Sequence, residues 1–290
     1  MKIRLSASCP FDLDATLCCG QTFRWDKQGE WWFGVVRDKA FKIRQTTNIL
    51  EYENADANFV RNYFGLDDDL PKIYKQIGKD QQTREAIKKF KGLRILRQDP
   101  WECLISYICA TFKNIPAIKQ MLLSLSHKFG SQACFEGQDL YGFPTPERLA
   151  HSSVSELAAC SLGYRAKYVY ETARIIHKNG VDVSHFSKMD YVEAKKELLK
   201  FSGVGLKVAD CVLLFSLRKL EAFPVDVWVT RVMMKYYGDN FPRKFVKKIA
   251  GKRSPSDPEY GVLNDFGREY FGEYAGYAQE YLYHFERSKC

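Results

Sequence analysis

Residues 199–228 read LKFSGVGLKVADCVLLFSLRKLEAFPVDVW, and this stretch decides how the rest of the chain is read. A Gly203-Val204-Gly205 turn separates two amphipathic runs, and Lys207 opens the second. Glycine admits backbone angles that other residues resist and lets the main chain approach a ligand closely. The N–H groups of such a turn, and of the helix start after it, can point at a phosphate. Ser202 to Gly205 therefore fit a phosphate grip or a plain packing corner, and the triplet alone does not choose. Lys207 sits where the positive end of a helix dipole disfavours an ammonium. An apolar pocket would favour a neutral amine further, able to attack a sugar carbon and form a Schiff base. The plainer reading is a lysine on a phosphate. Asp226, in Pro224-Val225-Asp226-Val227, precedes a helical run ending near Tyr237-Gly238 and suits an N-cap. A capped carboxylate is rigid, as stabilising a developing positive charge requires. Taken in this order, the three features point to chemistry on a base in DNA.

Outward from this block, Cys211 and Phe215 follow Lys207 at helical spacing and share its face, as a pocket wall or simply as core. Gln279 and Tyr283 are spaced alike on the last helical run. An amide can bond a base edge and a ring can stack on its face, although the surrounding tyrosines also read as packing. Tyr164-Arg165, after Leu162-Gly163, sets an aromatic beside a cation. That pair suits a wedge with a phosphate or base contact, or surface decoration.

Charge agrees with this direction: 44 Lys and Arg against 35 Asp and Glu leave +9 over 290 residues. An anionic partner such as nucleic acid fits, as does ordinary solubility. The 46% hydrophobic and 14% aromatic content excludes a disordered tail protein. Nine cysteines are an odd number, and Cys103, Cys109 and Cys211 lie in apolar helix-like stretches. A reduced interior fits better than a disulfide framework. No pair has C-x-x-C spacing and only Cys290 follows Cys211, which excludes a four-cysteine iron–sulfur or zinc site near the C-terminus. The opening MKIRLSASCPFDLD lacks the apolar core of a signal peptide. No stretch approaches the roughly 20 apolar residues of a membrane span. The expectation is a monomer in a prokaryotic cytoplasm.

The first fifty residues alternate like strands at 22–25, 31–36 and 40–44, separated by polar turns, as an antiparallel meander does. After about residue 58 the period becomes helical, with Trp101, Leu104, Ile105, Ile108 and Phe112 on one stripe. Thr145-Pro146 and Asp257-Pro258 read as helix starts, and Asp190 with Glu193 as a capping box. Gly251 to Ser256 is the loosest segment. The fold class is α+β: an antiparallel β-sheet domain with flanking helices over 1–98, then a mostly α-helical helix-hairpin-helix domain over 99–290.

With these residues in view, the chain resembles the 8-oxoguanine DNA glycosylases of the helix-hairpin-helix superfamily. The resemblance runs through Gly20 to Trp25, Gln98 to Cys103, Leu162 to Tyr168, Gly203 to Cys211, Pro224 to Val227 and Tyr274 to Gln279. It implies an enzyme that kinks duplex DNA and flips out the damaged nucleotide. Lys207 would attack C1′ and Asp226 would stabilise the cationic transition state. A Schiff base and β-elimination would then nick the strand. Gly20 would offer its carbonyl to the N7 hydrogen that guanine lacks. Gln279 would bind the Watson–Crick edge, with Cys211 and Tyr283 sandwiching the base. Tyr164 would be the wedge, and Asn114, Arg165 and Gly203 to Gly205 would meet DNA. No resident metal or cofactor is implied, although the hairpin has room for a monovalent cation beside a phosphate.

The chain also departs from that pattern. Ala110-Thr111-Phe112-Lys113-Asn114 keeps only one asparagine of the usual run. By that resemblance Arg165 keeps one of two cytosine-reading arginines, while Ala117 stands where the other is usual, Trp228 where animal enzymes have histidine, and Tyr283 where phenylalanine is usual. A weakened preference for cytosine opposite the lesion is therefore expected. The competing readings are a glycosylase for another damaged base, such as an alkylpurine, and a non-enzymatic DNA-binding module.

Overall fold

The computed structural model describes residues 1–290 except Ala7, Cys9, Arg253 and Cys290. The readings that involve Cys9, Cys290 and Arg253 of the 251–256 segment lie outside the described residues. The meander is present and larger than expected. Strands β1 (Lys2–Arg4), β2 (Trp25–Gln28), β3 (Trp31–Val36), β4 (Lys39–Thr46) and β5 (Ile49–Glu53) form an antiparallel sheet in the order β1-β5-β4-β3-β2. Phe41, Ile43, Leu50 and Tyr52 are fully buried, which is period-two burial along neighbouring strands. A Cβ at Gly34 would come within 2.6 Å of the Trp25 ring, so the indole lies over the glycine. The first long strand begins at Trp25 and not at Thr22. The chain before it serves a tertiary join, in which the Gln21 carbonyl accepts from Tyr107 Oη at 3.1 Å and Gln98 Nε2 at 2.7 Å.

Among the described residues, four α-helices precede residue 98: α1 (Leu13–Cys18), α2 (Ala57–Tyr63), α3 (Leu70–Ile77) and α4 (Gln81–Lys89). After it come α5 (Pro100–Ala110), α6 (Ile115–Phe129), a small hairpin of β6 (Gln132–Phe135) and β7 (Gln138–Tyr141), α7 (Pro146–Ala150), α8 (Val154–Leu157) and α9 (Arg165–Asn179). The chain continues with α10 (Tyr191–Leu198), α11 (Leu206–Phe215), α12 (Val227–Tyr236), α13 (Arg243–Ile249), α14 (Asp257–Phe271) and α15 (Ala275–Arg287). Thr145 caps α7, Asp190 caps α10 and Ser256 caps α14 one residue before the expected start.

Packing divides the molecule differently from a cut at residue 98. The sheet and α2 share one apolar core. Leu70, Ile73, Ile77 and Ala86 of α3 and α4 join the core of the later helices instead. Tyr74 of α3 meets Tyr281 of α15 hydroxyl to hydroxyl at 2.9 Å, and Tyr281 donates to the Leu93 carbonyl at 2.9 Å. The last helix is therefore built into the first hundred residues, and this brings Gly20 beside α15.

Candidate active site

The corner between α10 and α11 is a helix-hairpin-helix. Gly203 has φ +79°, and a Cβ there would lie 2.7 Å from the Tyr168 side chain on α9, so glycine is required twice over. Ser202 is held on both sides: its carbonyl accepts from Thr172 at 3.0 Å, and its hydroxyl donates to Glu171 at 2.6 Å. Val204 is buried and its N–H donates to the Phe201 carbonyl at 3.2 Å, while Gly205 is exposed and caps α11 with no side-chain bond. The first N–H groups of α11 therefore lie open behind a glycine, as an anion site needs. The corner is locked from inside by Asp210, fully buried on α11. It accepts from Tyr191 at 2.7 Å, Lys195 at 2.8 Å, Tyr260 at 2.5 Å and Asn264 at 3.1 Å.

The second residue of α11, Lys207, carries its ammonium 4.9 Å from the centre of the Tyr107 ring, a cation–π contact. Tyr107 in turn stacks on Phe215 at 5.6 Å and 13°. Phe215, expected at the base, is buried and backs the ring that carries the lysine. Cys211 is buried one turn on; burial pushes its thiol up to about 12, against the pull of the Lys207 charge, so it is a neutral thiol. Asp226 caps α12, accepting from the Val229 N–H at 2.8 Å. Dehydration raises its pKa, while the bonds from Val229 and Trp228 and the charge of Lys207 act the other way. Lys207 and Asp226 thus act on each other from the starts of two different helices.

The opposite wall joins the two ends of the chain. Gly20 has φ +105°, and a Cβ there would lie 2.7 Å from Arg287 Nη1, 3.2 Å from Ile115 Cδ1 and 3.3 Å from Tyr283 Oη. Gln21 anchors this segment: its fully buried amide bonds the carbonyls of Thr16 at 3.0 Å and Arg94 at 2.8 Å, and the Leu96 N–H at 2.8 Å. Arg287 donates to the carbonyls of Cys18 at 2.6 Å and Cys19 at 3.0 Å, and to Tyr283 Oη at 3.0 Å. Gln279 is 4% exposed and its Oε1 has no partner. Sequence reasoning missed Tyr107, Glu280 and Arg287. Arg287 follows Tyr283 at helical spacing and was findable, whereas Tyr107 carries no local signal.

Residues 2–104 match the family model described as 8-oxoguanine DNA glycosylase, N-terminal domain, and residues 105–252 the model described as HhH-GPD superfamily base excision DNA repair protein. The chain belongs to the 8-oxoguanine DNA glycosylase family. A probable N-glycosylase/DNA lyase of Methanothermobacter thermautotrophicus is 33% identical over 273 residues, covering 87% of this chain and 81% of that one. The Clostridium acetobutylicum 8-oxoguanine glycosylase/lyase, solved with duplex DNA containing cytosine opposite 8-oxoguanine, superposes with a TM-score of 0.86 at 33% identity, covering 96% and 92% of the two chains. A 3-methyladenine DNA glycosylase of Archaeoglobus fulgidus shares the fold, with a TM-score of 0.77 at 19% identity over 99% and 98%.

In this 8-oxoguanine DNA glycosylase family member the outer loops differ from expectation. Tyr164 is 55% exposed, directly after a tight turn in which Ser161 has φ +64° and Gly163 φ +57°. Arg165, expected to reach a base, is only 3% exposed. Its guanidinium donates to the Thr111 carbonyl, lies against the Leu162 carbonyl at 3.4 Å and packs 4.4 Å from the Tyr164 ring. Its position therefore ties two loops together, because a buried arginine whose three nitrogens each bond a main-chain oxygen is turned inward. Phe112 stands next to that tie, 64% exposed at φ +55°. Asn114 is exposed but caps α6, accepting from the Ala117 N–H at 3.0 Å. Trp228 lies under Arg231 at 4.7 Å. The seven described cysteines are all free, and among the described residues no helix is long and apolar enough to cross a membrane.

Proposed function

We propose that this protein removes 8-oxoguanine from duplex DNA and then nicks the strand at the same site, as a bifunctional glycosylase and lyase of base excision repair. The observation that carries the reading is that Lys207 and Asp226 act on each other, Asp226 acts on Tyr283, and Gly20 lies against Tyr283, with Gln279 one turn away on the same helix. The lone pair of the Lys207 amine forms a bond to C1′ as the bond from C1′ to the base breaks, and the base leaves with the electron pair of that broken bond and takes up a proton. Asp226, rigid as a cap, opposes the positive charge that develops on the sugar. Opening of the sugar ring yields the Schiff base, and elimination then breaks the bond from C3′ to its phosphate oxygen. Gln279 brings an unpaired acceptor to the Watson–Crick edge, and the Gly20 carbonyl would meet N7–H.

The main-chain N–H groups at Gly205 and the start of α11 would hold a backbone phosphate, which positions DNA without reading it. A monovalent cation fits the same turn: the carbonyls of Phe201 and Ser202 each accept one bond and keep a second lone pair. When bound it would add positive charge for the phosphate. With Arg165 turned inward and Ala117 in place of an arginine, cytosine opposite the lesion loses two readers. The setting proposed is a reducing prokaryotic cytoplasm, with the protein acting as a monomer. An alkylpurine substrate is the weaker reading, because it leaves Lys207 without a task.

The test is borohydride trapping on duplexes with one 8-oxoguanine opposite each of the four bases, comparing wild type with Lys207→Gln. Wild type should give a covalent adduct at comparable rates in all four, and Lys207→Gln none. An adduct in the variant would remove Lys207 from its role, and a strong preference for cytosine would remove the relaxed-pairing element.

A further inference from the structure

Glu280 follows Gln279 on α15, is 2% exposed, and its Oε1 has no hydrogen-bond partner. Nothing in the chemistry above uses it. Burying a carboxyl with one oxygen left unbonded is unfavourable and is retained only where something else requires it. The groups that face Glu280 come from every wall of the pocket. Cys19, just past the end of α1, shares a side-chain hydrogen bond with its carboxyl, and the charges of Lys207 on α11, Asp226 at the start of α12 and Arg287 on α15 act on it. Glu280 acts in turn on Tyr107, Cys211 and Tyr283. The other helices that pack on α15 meet different positions: Tyr74 of α3 meets Tyr281, and Lys89 of α4 acts on His284. Glu280 therefore lies buried beside Cys19, within electrostatic reach of Lys207 and Asp226.

Two carboxyls in one pocket invite a division of labour. Asp226 is tied down as a helix cap, and stabilising a cationic sugar needs it ionised throughout. A group that carries a proton must change its charge during the same reaction. One carboxyl cannot do both at once, and separate environments let two carboxyls take separate roles. Lys207 must lose a proton before its nitrogen can attack.

Resting on the function proposed above, we infer that Glu280 is the proton acceptor for Lys207, taking the proton through intervening water on its unpartnered oxygen. In that step an N–H bond of the ammonium breaks and an O–H bond forms on the carboxylate. The nitrogen keeps the electron pair with which it attacks C1′, and Glu280 becomes a neutral acid. Burial pushes Glu280 up to about 7, the nearby Lys207 and Arg287 charges pulling the other way. The carboxyl is thus poised to change charge near neutral pH, where such a carrier works best.

The experiment is single-turnover borohydride trapping from pH 5 to 9 with wild type, Glu280→Gln and Glu280→Asp. It uses two duplexes, one with 8-oxoguanine and one with a natural abasic site. The abasic duplex needs Schiff-base formation but no base removal. Wild type should speed up as pH rises through about 7 on both duplexes. Glu280→Gln should be slower by about 100-fold at pH 7, the scale of general base catalysis. It should also lose that inflection, while binding a duplex with a tetrahydrofuran abasic analogue as tightly as wild type. Glu280→Asp should keep the inflection at a reduced rate, which a merely structural role would not do. Glu280→Gln matching wild type in rate and profile on the abasic duplex overturns the inference. Should Glu280→Gln fail to fold, an Asp variant with no inflection overturns it equally. Trapping on the abasic duplex but not on 8-oxoguanine would instead sink the substrate assignment and leave the proton acceptor standing.

Discussion

Helices α11 and α15 both place charged and polar side chains in the interior, and they treat them in opposite ways. On α11, Asp210 is wholly buried and four donors from α10 and α14 converge on it. On α15, Gln279, Glu280 and His284 are buried to nearly the same degree, and each has an atom without a partner. A buried group with all its bonds made holds elements together, whereas an open one costs stability. The first pattern marks scaffold: Asp210 fixes the angle at which Lys207 and the hairpin are presented. The second marks a place kept ready for something else, and one of its three groups, Glu280, lies within reach of the Lys207 charge.

Asp210→Ala is expected to have the largest effect on stability, because it strands Lys195, two tyrosines and Asn264 in the interior. Breaking one partner of a buried ionic network costs about 3–5 kcal/mol. Urea unfolding should show it, and a loss under 1 kcal/mol would mean the network is not the lock described here.

His284 bears on the same contrast through pH. Burial and the charges of Arg287 and Lys89 push it down to about 4, from a usual value of 6.5. The folded state therefore binds its proton less readily than the unfolded state, and stability contributed by the neutral ring is present above pH 6.5 and lost as pH falls towards 4. At about 1.4 kcal/mol per unit the ceiling is about 3 kcal/mol. Glu280, raised from 4.5 to about 7, slopes the other way, its contribution lost as pH rises through 7. Denaturant midpoints of His284→Phe between pH 4 and 7 should lie on a flatter curve than wild type on the acid side. An unchanged acid slope would place the titration elsewhere.

The smallest effect on stability is the most telling one. Gln279→Leu removes an unsatisfied amide and substitutes a side chain of similar reach, so the melting point should hold or rise, by the equivalent of about 1 kcal/mol at most. The same change should lower kcat/KM on 8-oxoguanine by about 10-fold or more, since a lost bidentate edge contact is worth about 1–3 kcal/mol. Stability and activity moving together would erase the distinction between the two helices.

What could be read from the residues was local. The G-V-G corner, the lysine one residue inside the next helix and the aspartate at a helix start are each set by short-range rules. Positive φ at Gly203 demands glycine, an open N-cap exposes N–H groups, and Pro-Val-Asp before a helical run specifies a cap. Strands β3 and β4 were likewise legible from alternation, as were the starts of α7 and α10, whereas β2 occupies Trp25–Gln28, where a turn was expected.

Tertiary structure decided whatever depends on meetings between distant segments. No local rule sets Gly20 against Arg287 and Tyr283, or recruits α3 and α4 into the later helical core. Nor does any such rule lay Tyr107 beneath Lys207, fold Arg165 inward onto the Thr111 carbonyl, or leave Glu280 open inside the pocket. The physical reason is that backbone conformation answers to a few neighbouring residues. Which atoms are denied water, and which are left without a partner, is known only once the whole chain has packed.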